Sequence, residues 1–582
     1  MSHTRAILRI GIGVAAAVAL LLIAIAEPRA TDDQNANARS RAPRLVVQLV
    51  IDQFRADYID MYGSQWTHGL RRLVDKGAVF TNARYPYGNT VTCAGHATIA
   101  TGAFPVRHGM IGNTWYDRTL RKTITCAEDA SATSVPLGGA KGTERYSPHN
   151  LLIPNFADEL RRQTPSRPAQ IVSVALKPRS AVSMGGHPSP TTTVIWEEDD
   201  GTWATSTAYA SAPWPDADAY VKAHPLAAAN GEVWAMFMPP AAYKYVDDGA
   251  AEAKPVPWTR NFPHTLHNPL TWEPDRVFVT AWERSPKSDE FVTGLAIELL
   301  RTRKLGQQPG TDMLSVSLPA LDLVAHEFGP RSWEAQDVLA RADAQVGLLL
   351  DALDKAVGPD NYLLAFSADH GVATMPDQLV AEGQDAGRIP TTMAATTLRP
   401  VLEKLLGPAP QPAPVTITNP TTGVTTQTTP MPTWIGAVDG AQVSLLPGVV
   451  DRLRGMPDGF NTVKTTLAGI KGIARVYGPD EMAGTGATDD PCLAAWRLSY
   501  VPGRTGDFVM VVKPNWIIRG ATGTTHGSCY DYDQHVPVIF YGKDVKKGRN
   551  PGPATPADIA PTFAAFVGID LPNAQGKALI KR

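Results

Sequence analysis

The chain has 582 residues, of which 43% are hydrophobic and 19% charged, and its formal net charge is −2. That composition belongs to a globular chain and excludes disorder, and the charge balance leaves no basic field for nucleic acid. The length allows one large core with insertions, or two to four domains.

Arg5 and Arg9 precede an uncharged apolar run from Ile10 to Ala26, and Ala24-Ile25-Ala26 provides a small-x-small site. This is the layout of a secretory signal peptide over residues 1–26. The run is long for a cleaved segment and Pro28 is awkward for cleavage, so an uncleaved membrane anchor is the alternative. Either way the body is expected in the periplasm or outside the cell. Residues 27–43 read as a linker and 44–582 as the folded body. Export permits disulfides. The four cysteines, Cys93, Cys126, Cys492 and Cys529, form no CxxC pair, which argues against a cysteine-held metal. Each is a disulfide half or a buried thiol, and three pairings are open.

Leu45–Ile51 is a near-continuous apolar run ending at Asp52, the pattern of a strand buried on both faces. The same pattern recurs at 170–176 before Lys177, at 312–318 four residues before Asp322, at 362–367 before Asp369, and at 536–541. Helical periodicity occupies 66–76, 154–163, 289–304 and 333–356. Alternation of this kind predicts an α/β fold with a mainly parallel central sheet and helices on both faces. Two stretches break the pattern and read as inserted cap segments, about 190–275 and 385–480. The second contains a Pro/Thr-rich tract suited to an extended loop or hairpin. In such sheets ligands bind beyond the carboxyl ends of the strands, and polar residues collect there.

Asp322-x-x-x-His326, Asp369-His370 and His526 set carboxylates beside imidazoles, a donor set suited to zinc or a similar ion. Asp52, Asp322 and Asp369 bring three negative charges and a Thr92 alkoxide a fourth, which two divalent ions match. A phosphate monoester dianion then needs two more positive charges. Lys177 and Arg179, at the end of one strand, can provide them, Arg as a planar fork and Lys as a point charge. Thr90 is the rival hydroxyl. His96, His108 and His187 read as core or supporting histidines, and His535 is the rival of His526. The pairs Asp531/Asp533 and Asp489/Asp490 are candidates for calcium that read as ordinary surface carboxylates.

Taken jointly, these residues resemble the alkaline phosphatase superfamily, in its type I phosphodiesterase/nucleotide pyrophosphatase branch, and most of all the secreted alkaline phosphatases with a threonine nucleophile. The resemblance runs from about Leu45 to Gly542. It rests on Thr92-Cys93-Ala94-Gly95-His96, on Thr101-Gly102 through His108-Gly109, and on Asn113-Thr114-Trp115-Tyr116-Asp117. It rests further on Lys177-Pro178-Arg179, Asp322…His326, Asp369-His370-Gly371 and Thr525-His526-Gly527. It implies a two-metal phosphomonoesterase body over 44–582. One Zn2+ is expected on Asp52, Thr92, Asp369 and His370, and a second on Asp322, His326 and His526; other divalent ions are alternatives. Thr92 is the implied nucleophile, and Asn113, Lys177 and Arg179 the implied phosphate contacts. The expected partners are small-molecule phosphate monoesters, with no nucleic acid and no obligate protein partner. Cys93-Ala94-Gly95 departs from the Phe-Pro-Asn common in diesterases. A diesterase on the same scaffold, or a non-catalytic exported binding protein, are the other readings.

Overall fold

The computed structural model describes residues 42–255, 257–418 and 425–580. The expected leader at 1–26 and most of the linker lie outside the described residues. Among the described residues no helix is long and apolar enough to cross a membrane.

Ten strands form the main sheet: β1 (Leu45–Ile51), β2 (Ala78–Ala83), β3 (Ser134–Pro136), β4 (Ile171–Ala175), β5 (Thr192–Glu197), β6 (Trp203–Ser206), β7 (Asp312–Leu318), β8 (Tyr362–Ser367), β9 (Val538–Gly542) and β10 (Gly548–Ala554). Their spatial order is β10-β2-β9-β8-β1-β7-β4-β5-β6-β3. The centre, β8-β1-β7-β4-β5, is parallel throughout. β9 runs antiparallel between β8 and β2. Along β1 the side chains alternate between two cores. Leu45, Val47, Leu49 and Ile51 join one hydrophobic cluster, and Val46 and Val50 the other. A strand with apolar layers on both faces reads as a continuous apolar run for this reason.

The register sets the site. Ile51 pairs with Leu318 and Val50 with Ser367, so β1, β7 and β8 end almost flush. Residues just past those ends are therefore brought side by side, although they are hundreds of positions apart in the chain.

Element boundaries differ from the sequence reading where caps decide them. The helix expected at 154–163 starts at Phe156, because Asn155 caps it in a reciprocal box with Asp158. The one expected from 66 starts at Gly69, with the Asp343 carboxylate accepting from the Thr67, His68 and Arg71 amides. The last strand starts at Val538 and not at 536, since Pro537 has no N–H for a ladder.

The stretch about 190–275, read as an insertion, opens inside the main sheet as β5 and β6 and leaves it only after Ser206. The second stretch runs past 480. Its four-stranded antiparallel sheet combines Ile435–Asp439, Gln442–Leu445 and Ile473–Tyr477 with Phe508–Val512. Leu398, Leu402, Val443, Val463, Leu467 and Phe508 give that unit its own core. Within the Pro/Thr tract, Val415–Thr418 pairs antiparallel with Thr425–Thr428 as a hairpin.

Candidate active site

Four neighbouring parallel strands deliver the polar residues. Asp52 follows β1. Lys177 follows β4 and precedes helix α2 (Pro178–Gly185). Asp322 lies in the first turn of helix α3 (Ala320–Phe328), and His326 lies one turn later on the same face. Asp369 and His370 follow β8, and His526 arrives on a loop from the far side of the second unit. Thr92 is the first residue of helix α1 (Thr92–Thr101), whose preceding residue Val91 is extended. A glycine is required one turn into α1. A Cβ on Gly95 would overlap the Asp369 backbone carbonyl, so only glycine lets α1 sit this close to the end of β8.

The carboxylates and imidazoles converge. His326 Nε2 is 3.2 Å from Asp322 Oδ1, and His526 Nε2 is 3.7 Å from the same oxygen. His370 Nε2 is 3.2 Å from Asp369 Oδ2, 3.6 Å from Asp52 Oδ1 and 3.4 Å from the Thr92 hydroxyl oxygen. Asp322, His326 and His526 offer donor atoms within 4.8 Å of one another, and Asp52, Asp322 and His370 do the same. Asp322 thus stands in both groups.

In each histidine the other ring nitrogen is fixed by a backbone carbonyl. Nδ1 of His326 faces Thr524 O at 2.9 Å, that of His526 faces Thr90 O at 2.8 Å, and that of His370 faces Gly371 O at 3.0 Å. A carbonyl only accepts, so Nδ1 carries a proton and Nε2 is the nitrogen aimed into the site. Asp52 Oδ1 and Asp369 Oδ2 are buried without a hydrogen-bond partner. Imidazole nitrogens and orphaned carboxylate oxygens facing one point fit divalent cations.

The ionisation pattern has the same cause. Burial, then the charges of Asp322 and Asp369, push the Asp52 carboxyl up to about 7. Burial also opposes charge on Asp322, but Lys177 and His326 hold that carboxyl well below the usual range. Burial disfavours the His370 imidazolium, yet Asp369 raises it to about 9. Burial and the neighbouring His370 and His326 push His526 well below its ordinary value. Three carboxylates compete here for too little positive charge.

Lys177 carries part of that charge now. Its Nζ donates to Asp52 Oδ2 at 2.7 Å and to Asp322 Oδ2 at 2.5 Å. It therefore stands between two carboxylates and does not reach freely outward. Arg179, two residues on, has a buried Nε without a hydrogen-bond partner. Asn113 accepts the Cys93 amide through Oδ1 at 2.9 Å, which ties it to the residue after Thr92 and leaves its NH2 group uncommitted. Cys93 is bonded to Cys126 and Cys492 to Cys529, which settles the pairing. The first disulfide anchors the residue after Thr92, and the second anchors the loop carrying His526.

The rivals are placed elsewhere or already engaged. The Thr90 hydroxyl donates to Ser528 O at 3.0 Å. His535 bonds Thr81 O, His187 bonds Asp158, and His108 bonds Thr98 within the core. His96 supports the site from behind, with Nδ1 2.9 Å from Thr92 O and 3.4 Å from Asp369 Oδ2. Asp531 pairs with Arg84, Asp533 accepts from Ser528, and Asp490 caps the helix at Pro491–Ser499.

Gln53 is absent from the sequence reading. Fully buried beside Asp52, it holds a left-handed backbone at φ 69°, a conformation that costs a non-glycine residue free energy. Its amide N–H donates to Asp369 Oδ1 at 3.0 Å and its side-chain NH2 to Asp322 Oδ1 at 2.5 Å. One residue thus orients a carboxylate in each half of the site. The available signal was an amide side chain directly after a strand-end aspartate, which is weak by itself.

Replacing Gln53 by alanine should loosen Asp322, which loses the side-chain hydrogen bond, while the backbone bond to Asp369 remains. Gln53→Ala is expected to weaken divalent-ion binding by about 10- to 100-fold, the usual effect of removing a residue that orients ligands. Chelator competition with the purified protein measures this. Unchanged affinity would show that the side-chain hydrogen bond to Asp322 is incidental.

Known proteins share this sequence pattern and fold. The family model for type I phosphodiesterase / nucleotide pyrophosphatase matches residues 46–388. The chain is 29% identical over 542 residues to alkaline phosphatase PhoV of Synechococcus elongatus, covering 91% of each chain. It is 28% identical over 555 residues to alkaline phosphatase PafA of Elizabethkingia meningoseptica, covering 94% of this chain and 95% of that one. Alkaline phosphatase PhoK of a Sphingomonas species is 27% identical over 92% of this chain and 90% of its own length. The crystal structure of wild-type PafA superposes with a TM-score of 0.81 at 28% identity, over 92% of this chain and 98% of that one. With a family model covering more than half of its length, the chain belongs to the type I phosphodiesterase / nucleotide pyrophosphatase family.

Proposed function

We propose that this protein is an exported, zinc-dependent alkaline phosphatase that hydrolyses small-molecule phosphate monoesters through a phosphothreonine. The observation that carries the reading is the position of Thr92: an otherwise uncommitted hydroxyl at a helix N-terminus, 3.4 Å from His370 Nε2. The match to three proteins named alkaline phosphatase supports it. The apolar leader of the sequence supports export.

Asp52, Asp369, His370 and Thr92 would hold one ion, and Asp322, His326 and His526 the other; mixed carboxylate and imidazole donors suit zinc. The ions supply Lewis-acid charge that acidifies a bound hydroxyl and stabilises a departing oxygen. With divalent ions bound at Asp52 and Asp322, Lys177, which bridges these two carboxylates, would be free to turn its ammonium to a phosphoryl oxygen. Arg179 and the Asn113 NH2 bind the other non-bridging oxygens. Thr92 Oγ1 forms its bond to phosphorus as the bond to the alcohol oxygen breaks on the opposite side. Water then cleaves the Thr92 ester and releases inorganic phosphate. Positioning and electrostatics do most of this work.

Two measurements test the reading. Acid quenching during turnover of a ³²P-labelled monoester should leave label on Thr92, and label on Thr90 would overturn the assignment. Monoesterase kcat/KM should fall about 10- to 100-fold in Lys177→Ala or Arg179→Ala, since hydrogen bonds to charged groups are worth about 1.5–3 kcal/mol. Diester hydrolysis should fall far less. Equal losses would favour the diesterase reading.

A further inference from the structure

A second group of cations lies beside His326 and His526 and takes no part in the chemistry above. Glu327 follows His326 on α3. Arg284 Nη2 approaches Glu327 Oε1 to 3.4 Å, and Arg519 Nη2 approaches Glu327 Oε2 to 3.8 Å. Neither contact is a hydrogen bond. Among the described residues the Arg284 guanidinium donates none, and that of Arg519 donates one, from Nε to Thr522 O at 3.1 Å. Two forks with most of their donors unused share one carboxylate. Both arginine side chains keep 28% of their surface exposed, so solvent and solutes reach them.

Arg519 is held against the ligand-bearing segments. A Cβ on Gly523 would overlap the His326 carbonyl and lie 2.8 and 2.9 Å from Arg519 Nη2 and Nε. The guanidinium and the backbone of His326 therefore flank the same glycine. The loop from Arg519 to His526 is fixed by Arg388, which donates to Gly520 O and Gly523 O, and by Thr524 N bonding His326 O. Arg388 itself is neutralised by Asp377 at 2.6 Å. Burial, with Arg388 and Arg284 nearby, holds the Arg519 guanidinium below its ordinary value in spite of Glu327 and Asp322. Around Glu327 two guanidinium groups thus share one carboxylate, each with donors to spare.

We propose that Arg284 and Arg519 form an anion-binding subsite for the alcohol portion of the substrate, selecting phosphate monoesters that carry a second anionic group, a carboxylate or a further phosphate. This rests on the phosphomonoesterase reading, in which the Asp322, His326 and His526 side receives the departing oxygen. Guanidinium forks suit both anions bidentately. The second charge of the substrate is met without using the cations that hold the transferred phosphoryl group.

The test compares 2-phosphoglycerate with glycerol 2-phosphate, which differ by one carboxylate in place of a hydroxymethyl group. Arg519→Ala and Arg284→Ala are each expected to lower kcat/KM for 2-phosphoglycerate by about 10- to 100-fold, chiefly through KM. Glycerol 2-phosphate should change by no more than about threefold, with the bound-metal content unaltered; Arg519→Lys should recover part of the loss. Fructose 1,6-bisphosphate, as the doubly phosphorylated arm, should follow 2-phosphoglycerate. Equal losses on both members of the pair would mean that the arginines only support the loop or the metals, and no loss on either would mean that substrates do not reach them. Either result overturns the subsite alone. Absence of glycerol 2-phosphate turnover by the unaltered enzyme would remove the monoesterase reading, and the subsite with it.

Discussion

Three carboxylates, Asp52, Asp322 and Asp369, are buried together beyond the carboxyl ends of the central strands, and the rest of the site is arranged around the cost of keeping them charged. Buried like charges are tolerated only when cations and hydrogen bonds offset them. Lys177 bridges two of the three, Gln53 donates to Asp322 and, through its backbone, to Asp369, and His96 and His370 border Asp369. Two carboxylate oxygens still have no partner. A protein stabilised by packing alone would have no use for this arrangement; one that binds divalent ions requires it.

The fold provides the precision. The flush ends of β1, β7 and β8 place each aspartate by register, and the continuous apolar runs lock that register by filling both faces. The helix carrying Thr92 approaches closely because residue 95 has no side chain. The site segments that do not follow directly from a sheet strand, the start of α1 at Cys93 and the loop before Cys529, are the two that carry disulfides. Rigidity is thus added where the sheet cannot supply it.

Much of this was legible in the sequence because it follows from local pattern. Apolar runs ending in Asp52, or shortly before Asp322 and Asp369, announce buried parallel strands with polar ends, and the helix at Trp333–Ala356 has the expected bounds. Long-range pairing was not legible. The second unit runs past 480 because Phe508–Val512 pairs with strands more than thirty positions earlier, and β5 joins the main sheet by pairing with β4. Periodicity carries neither fact. Gln53, Arg284 and Arg519 escaped for a related reason: each is an ordinary residue until its neighbours in space are known.

The central claim is that the buried carboxylates and the three Nε2 atoms exist to hold two divalent cations. Native mass spectrometry with elemental analysis of the purified protein tests it most directly. The account predicts two tightly bound divalent ions per chain, of which Asp322→Ala or His526→Ala removes one. Fewer than two ions in the unaltered protein, or two ions retained in both variants, would contradict it.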